Sequence, residues 1–165
     1  AKSAAKARPG PSIRAAGRAH LETGVTITTH ASKWPVGGDV LDLLEAEGVA
    51  PDRIITGHVS TIDIPEYHLD LARRGTWLQF DTIRGGAEPV VDRWVQQVMA
   101  LVRAGYLDRV LLSHDVCVKS HLAINGGCGY AYLFEQFLPL LGRAGLDDGE
   151  LEQLVTTNPQ IALCV

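Results

Sequence analysis

No apolar run in the 165 residues approaches the roughly 20 residues that a helix needs to cross a bilayer, which excludes a helical membrane span. Cysteine is scarce. Cys117, Cys128 and Cys164 are odd in number, widely spaced and form no Cys-x-x-Cys pair. That excludes a disulfide scaffold and points to a reducing, cytoplasmic setting. An excess of positive charge is also missing. The net charge of -4 argues against nucleic acid or an anionic membrane as partner. No stripe interleaves aromatic with basic residues, which argues the same way. The opening stretch, Ala1 to Gly10, lacks the apolar centre of a secretory signal. It also lacks an initiator Met, so a processed, trimmed or fragmentary chain is expected.

The remaining composition, 46% apolar and 21% charged, is that of an ordinary globular protein. The length suffices for one domain with a real core, and a single domain over residues 1–165 is expected. Its pattern is repetitive. Four short apolar runs, rich in β-branched and aromatic residues, read as buried strands over 25–30, 53–58, 76–81 and 109–115. A helical pattern surrounds each one. Ile13 to Glu22 reads as a helix. Asp39 is placed as the cap of a second helix carrying Val40, Leu41, Leu43 and Leu44. Pro65 and Pro89 are placed to open two more. The second of these carries Val91, Trp94, Val95, Val98, Leu101 and Val102 on one stripe. A last large helix is expected from about Tyr130 to Leu141. Two short ones follow near 147–155 and 159–164, the final one with Asn158 as cap. Trp77, Trp94, Phe134 and Phe137 fall on apolar periodicities and read as core.

Strand–helix units of this length imply parallel strands joined by right-handed crossovers. Four units make either half of an eight-stranded barrel or a small open sheet. Both architectures put chemistry at the C-terminal ends of the strands. Three runs end there on metal-ligand residue types: His30, His58 and Asp115. Two imidazoles and a carboxylate suit zinc, iron or manganese, and such a metal makes hydroxide available near neutral pH. The fourth run ends on Asp81.

The segments Gly24-Val25-Thr26-Ile27-Thr28-Thr29-His30, Ile55-Thr56-Gly57-His58, Leu111-Leu112-Ser113-His114-Asp115 and Thr157-Asn158-Pro159-Gln160, in this order and separation, resemble the phosphotriesterase family of the amidohydrolase superfamily. The resemblance runs from about residue 13 to the C-terminus. It implies an α/β fold: a (β/α)8 TIM-type barrel of which this chain holds the C-terminal half, strands five to eight. It implies that His30 and His58 bind the more exposed of two metals. Asp115 would bind the buried one and take a proton from the bridging hydroxide. His114, one residue earlier, would point elsewhere. The family's bridging ligand, a carboxylated lysine, falls near Lys2, with Lys6 as the other candidate. The His-x-His pair that the family carries on strand one occurs nowhere in this sequence.

By the same resemblance, Asp81 and Arg84 would line the substrate pocket. The Gly-rich Asn125-Gly126-Gly127-Cys128-Gly129 stretch could cradle an oxyanion with backbone N–H groups, or form a loop at the pocket rim. The function implied is metal-dependent hydrolysis of an ester, lactone or phosphotriester through a metal-bound hydroxide. The divalent metal is expected to be zinc first, with manganese, cobalt or iron as alternatives. Lacking the His-x-His half of the site, the isolated chain is expected to turn over little. A non-catalytic ligand- or metal-binding remnant is the alternative. A homodimer pairing two half-barrels is a further expectation.

Overall fold

Three of the apolar runs, over 54–57, 77–80 and 110–112, become strands whose side chains are largely buried on both faces, leaving no polar stripe for a helix to present to water; the run over 27–30 alternates half-buried with exposed residues. The computed structural model describes residues 10–31 and 33–164, so Lys2 and Lys6 lie outside the described residues. Four strands, β1 (Ile27–His30), β2 (Ile54–Gly57), β3 (Trp77–Phe80) and β4 (Val110–Leu112), form one sheet in the order β1-β2-β3-β4. All pairings are parallel, and the register sets His30 beside Gly57 and Phe80 beside Leu112. The helices are α1 (Gly10–Thr23), α2 (Gly37–Glu45), α3 (Pro65–Arg74), α4 (Glu88–Arg103), α5 (Leu138–Ala144), α6 (Asp148–Glu152) and α7 (Asn158–Leu163). The result is the four-unit parallel α/β alternation expected from the sequence. No helix among the described residues is long and apolar enough to cross a membrane.

Strand alternation divides the core in two. Ile54, Leu78, Phe80 and Val110 pack under the helices in the larger cluster. On the opposite face Ile55, Trp77, Leu111 and Ala162 form a smaller one. The α4 stripe is buried as expected, with Val91, Trp94, Val95, Val98 and Leu101 all inward. Burying each such side chain contributes roughly 1.5–3 kcal/mol. Pro65 and Pro89 both stand in the first turns of their helices. Gly75 ends α3 at φ 88, a left-handed position that favours glycine.

The sheet's N-terminal edge is locked by the end of the chain. The Thr26 hydroxyl donates to the Ala162 carbonyl at 2.8 Å, and Arg53 donates to the carbonyls of Cys164 and Gly24. Asn158 donates to the carbonyls of Leu107 and Val110, both at 2.8 Å. Structure is thus invested at one end of the strands, leaving the other end for chemistry.

Four expectations are corrected. Asp39 does not cap α2. The helix begins two residues earlier, at Gly37, whose N–H donates to the Tyr67 hydroxyl at 3.1 Å. Asn158 is not a cap either; it has helical backbone angles, and its side chain is occupied under β4. The two short final helices are one continuous helix, because Gln153–Thr157 forms a widened π turn joining α6 to α7. A second π turn, Leu133–Phe137, precedes α5. Each π turn lies just before a proline, Pro159 or Pro139, whose ring would clash with the carbonyl four residues back in a regular helix. The wider turn also rotates Phe134 off the face that holds Phe137. Phe134 is 55% exposed, while Phe137 is fully buried, as Trp77 and Trp94 nearly are.

Candidate functional site

The C-terminal ends of the four strands place the candidate residues along one rim. His30 is the last residue of β1, and His58 directly follows β2. Asp81 directly follows β3; Asp115 comes three residues after β4. His58 and Asp115 share an unusual backbone, with φ of 59 and 54. Left-handed geometry is costly for a residue with a Cβ and recurs where chains are bent for function. Here it turns the chain abruptly out of the strand, so that each side chain stands at the sheet's end.

Three of these residues form a chain. Asp81 Oδ1 lies 2.8 Å from His58 Nδ1, and Asp81 Oδ2 accepts the His58 backbone N–H at 3.0 Å. His58 Nε2 lies 2.8 Å from His30 Nδ1, with the two rings edge to face and 4.2 Å apart. Asp81 is only 8% exposed. Burial pushes its carboxyl above the usual range, and its contacts to His58 oppose that push. An ionised Asp81 accepts from His58 Nδ1–H, which leaves the Nε2 lone pair facing His30. His30 Nδ1–H then donates to it. This proton stands where a cation would stand.

The pair therefore fits a divalent metal in kind. One imidazole has a carboxylate behind it that fixes tautomer and ring orientation, the usual arrangement around metal-bound histidine. The other can move its proton to its outer nitrogen. Two ligand nitrogens on a tetrahedral zinc stand roughly 3.3 Å apart, so the rings need to open only slightly.

Asp115 has a different partner. Its Oδ2 accepts from Arg84 Nη1 at 2.8 Å, and the same nitrogen reaches the Asp115 and His114 carbonyls at 3.3 and 3.5 Å. Among the described residues, no group of three or more His, Cys, Asp or Glu side chains stands close enough to hold a metal ion. The fold thus brings His30, His58 and Asp81 together and sets Asp115 with Arg84. Asp81, expected at the pocket wall, stands behind His58. Its place at the end of the neighbouring strand was visible in the sequence; its bond to His58 was not.

His114 turns toward Tyr130, their rings 5.9 Å apart, with its Nε2 buried and unpartnered. Burial holds its pKa down against a backbone hydrogen bond at Tyr130. The Gly-rich stretch offers no oxyanion cradle at its glycine amides. The N–H groups of Gly126, Gly127 and Gly129 donate to the carbonyls of Ala123, Leu122 and His121. Close packing of Gly127 against the His121 and Ser120 carbonyls explains why this loop needs small residues. Cys117, Cys128 and Cys164 are free and exposed.

Comparison with known proteins bears on this geometry. The profile of the phosphotriesterase family matches residues 10–163. The phosphotriesterase homology protein of Escherichia coli (strain K12) is 37% identical over 145 residues, covering 88% of this chain and 50% of that protein. An aryldialkylphosphatase of Saccharolobus solfataricus is 29% identical over 160 residues, covering 90% and 50%. Among solved structures, a resiniferatoxin-binding protein from Rhodobacter sphaeroides superposes with a TM-score of 0.86 at 39% identity, covering 92% of this chain and 45% of that one. The chain spans about half the length of the curated relatives it matches.

Proposed function

Because the chain belongs to the phosphotriesterase family, we propose that it is the strand-five-to-eight part of a metal-dependent hydrolase acting on ester, lactone or phosphotriester bonds. The observation that carries this reading is the Asp81–His58–His30 chain at the strand ends. His58 Nε2 and His30 Nδ1 would hold a divalent cation, zinc first, with manganese, cobalt or iron as alternatives. The chemistry it supplies is Lewis acidity toward water and toward a carbonyl or phosphoryl oxygen.

The chain's own residues do the rest. Asp81 keeps the His58 ring in one tautomer and one orientation. Asp115 serves as the carboxylate that accepts a proton at Oδ2, the atom that Arg84 now holds. Arg84 holds that carboxylate in place, by the 2.8 Å contact to Oδ2, until substrate or cation takes its place. Similarity to an aryldialkylphosphatase supports esters of phosphorus as one substrate class. Lys2, as a carboxylated bridging ligand, belongs to the same proposal.

One observation favours a second reading. Asp115 is committed to Arg84, and the described residues contain no three-ligand group. A remnant that binds a ligand or a single metal without turnover would look like this. Metal titration followed by melting separates the outcomes. The hydrolase reading expects zinc or manganese to raise Tm, and His58→Asn to abolish the shift. It also expects weak turnover of aryl esters or lactones that Asp115→Asn removes. Metal uptake without turnover selects the remnant. Absence of any metal-dependent shift in the folded chain overturns the hydrolase reading and the metal-binding form of the remnant. The homodimer is tested separately by sedimentation.

A further inference from the structure

Two helices of the outer layer leave a gap that the strand-end site does not use. A cavity of about 270 Å³ lies between α3 and α4. One wall is the α3 stripe of Pro65, His68 and Leu69, spaced i, i+3 and i+4. The other is the α4 stripe of Arg93, Gln97, Ala100 and Arg103. His68, Gln97 and Leu101 are buried and form the floor. Ala100, the smallest of the lining side chains, leaves the middle open.

Two of the lining residues carry a buried polar atom with no partner among the described residues, Arg93 at Nε and Gln97 at Oε1. Gln97 is only 6% exposed. Its amide orientation follows from its contacts, because Nε2 donates to the Ile62 carbonyl at 3.1 Å and to Asp63 Oδ1 at 3.4 Å. Oε1 is left as an acceptor, and a buried acceptor without a donor is costly. Arg93 Nε–H is the converse, a buried donor without an acceptor. Four residues apart on one helix, the two side chains are neighbours. The charge is also unbalanced. Among the described residues, neither Arg93 nor Arg103 is ion-paired with a carboxylate. Asp63 supplies one negative charge at the rim, and burial favours the neutral form of His68. The lining therefore has an excess of one positive charge.

We propose that this cavity binds a small monoanionic hydroxycarboxylate with an aliphatic body. Its carboxylate accepts from Arg93 and balances the excess charge, a charge-assisted bond. Its hydroxyl donates to Gln97 Oε1. Because the two protein groups are neighbours, the hydroxyl belongs on the carbon next to the carboxylate. The aliphatic body lies along Leu69, Ala100 and Leu101. A plain carboxylate would leave Gln97 Oε1 unmet, and a neutral amide would leave the charge unmet. The volume stands at the small end of ligand sites, roughly 300 Å³, which suits a compact molecule. Neither His30 nor His58 lines this cavity, so the site stands apart from the hydrolase reading.

The test is titration of the chelator-treated chain with 2-hydroxyisocaproate, followed by amide NMR shifts. Isocaproate, which lacks the hydroxyl, and 2-hydroxyisocaproamide, which lacks the charge, are the controls. Saturable binding is expected with a Kd on the order of 1 mM, its shifts centred on Leu69, Gln97 and Ala100. Isocaproate should bind about fivefold more weakly and the amide about tenfold more weakly. Arg93→Gln should cost the hydroxy acid about tenfold. In Gln97→Leu the two carboxylates should bind alike, because the hydroxyl has lost its acceptor. Ala100→Phe should fill the cavity and abolish binding. Ala100 is exposed, so this variant reports on the cavity even if Gln97→Leu does not fold. His30→Asn should leave binding unchanged. No saturable binding, equal binding of isocaproate, or binding that survives Ala100→Phe overturns the proposal. Binding by a chain that takes up no metal upholds this site and sinks the hydrolase reading alone.

Discussion

Asp81 grips His58 twice, through the ring at Nδ1 and through the backbone N–H, using one carboxylate oxygen for each. Side chain and main chain of one candidate ligand are thus set by one group on the next strand. The backbone bond also holds His58 in its left-handed conformation, φ 59 and ψ 23.

Asp81→Asn should therefore weaken divalent-metal binding at the histidine pair by about 10–100-fold, the usual effect of losing a carboxylate behind a metal-bound histidine. Competition against a chromogenic chelator would measure it. An unchanged affinity in a variant with unchanged Tm would show that Asp81 has no part in metal binding.

Arg84→Met should have the opposite effect. It frees the Asp115 carboxylate, and a part-exposed ion pair of this kind is worth up to about 1 kcal/mol. Metal affinity should rise by about two- to fivefold if Asp115 joins the site. The same chelator competition reads it, and an unchanged affinity would place Asp115 outside the metal's reach.

Gly57→Ala should disturb the site through sterics alone. A Cβ at Gly57 would collide with the Thr29 carbonyl and stand 3.4 Å from Asp81 Oδ2. Overpacking of this sort costs roughly 1–3 kcal/mol, readable from urea unfolding. Metal affinity should drop as well, because the collision lies between the strands that carry His30 and His58.

Stability should fall with acid through His68. This residue is buried on α3, with Nε2 3.0 Å from the Val59 carbonyl and the ring against Phe80. Burial lowers its pKa below the ordinary 6.5, while its hydrogen bond to the Val59 carbonyl and the charge of Asp63 oppose the shift. The unfolded chain therefore takes up a proton that the folded chain resists. Stability is fully present above about pH 6.5, falls as pH drops through that value, and levels off below the folded pKa. Urea midpoints between pH 7.5 and 5 would show the slope. In His68→Gln that slope should flatten; an identical slope would assign it to other groups.

Much of the architecture was legible in the sequence. Short β-branched runs ending at His30, His58, Asp81 and Asp115 marked the strands, and Pro65 and Pro89 marked helix starts. Local signals misled where a neighbour outcompeted them. Tyr67 caps α2 from 30 residues away, so Asp39 was not needed as its cap. Asn158 has the composition of a cap, yet its amide serves the carbonyls of Leu107 and Val110. Phe134 followed a helical stripe that the π turn then rotated away.

Periodicity and chain order alone determined that four strand–helix units would lie in parallel with His30, His58, Asp81 and Asp115 at one end, because backbone pairing and burial act along the chain. Only the tertiary structure decided how those side chains pair. Asp81 went to His58 and Asp115 to Arg84. Such choices depend on distances of a few ångströms between residues far apart in sequence. The turn each strand end takes sets those distances, and spacing along the chain does not encode them.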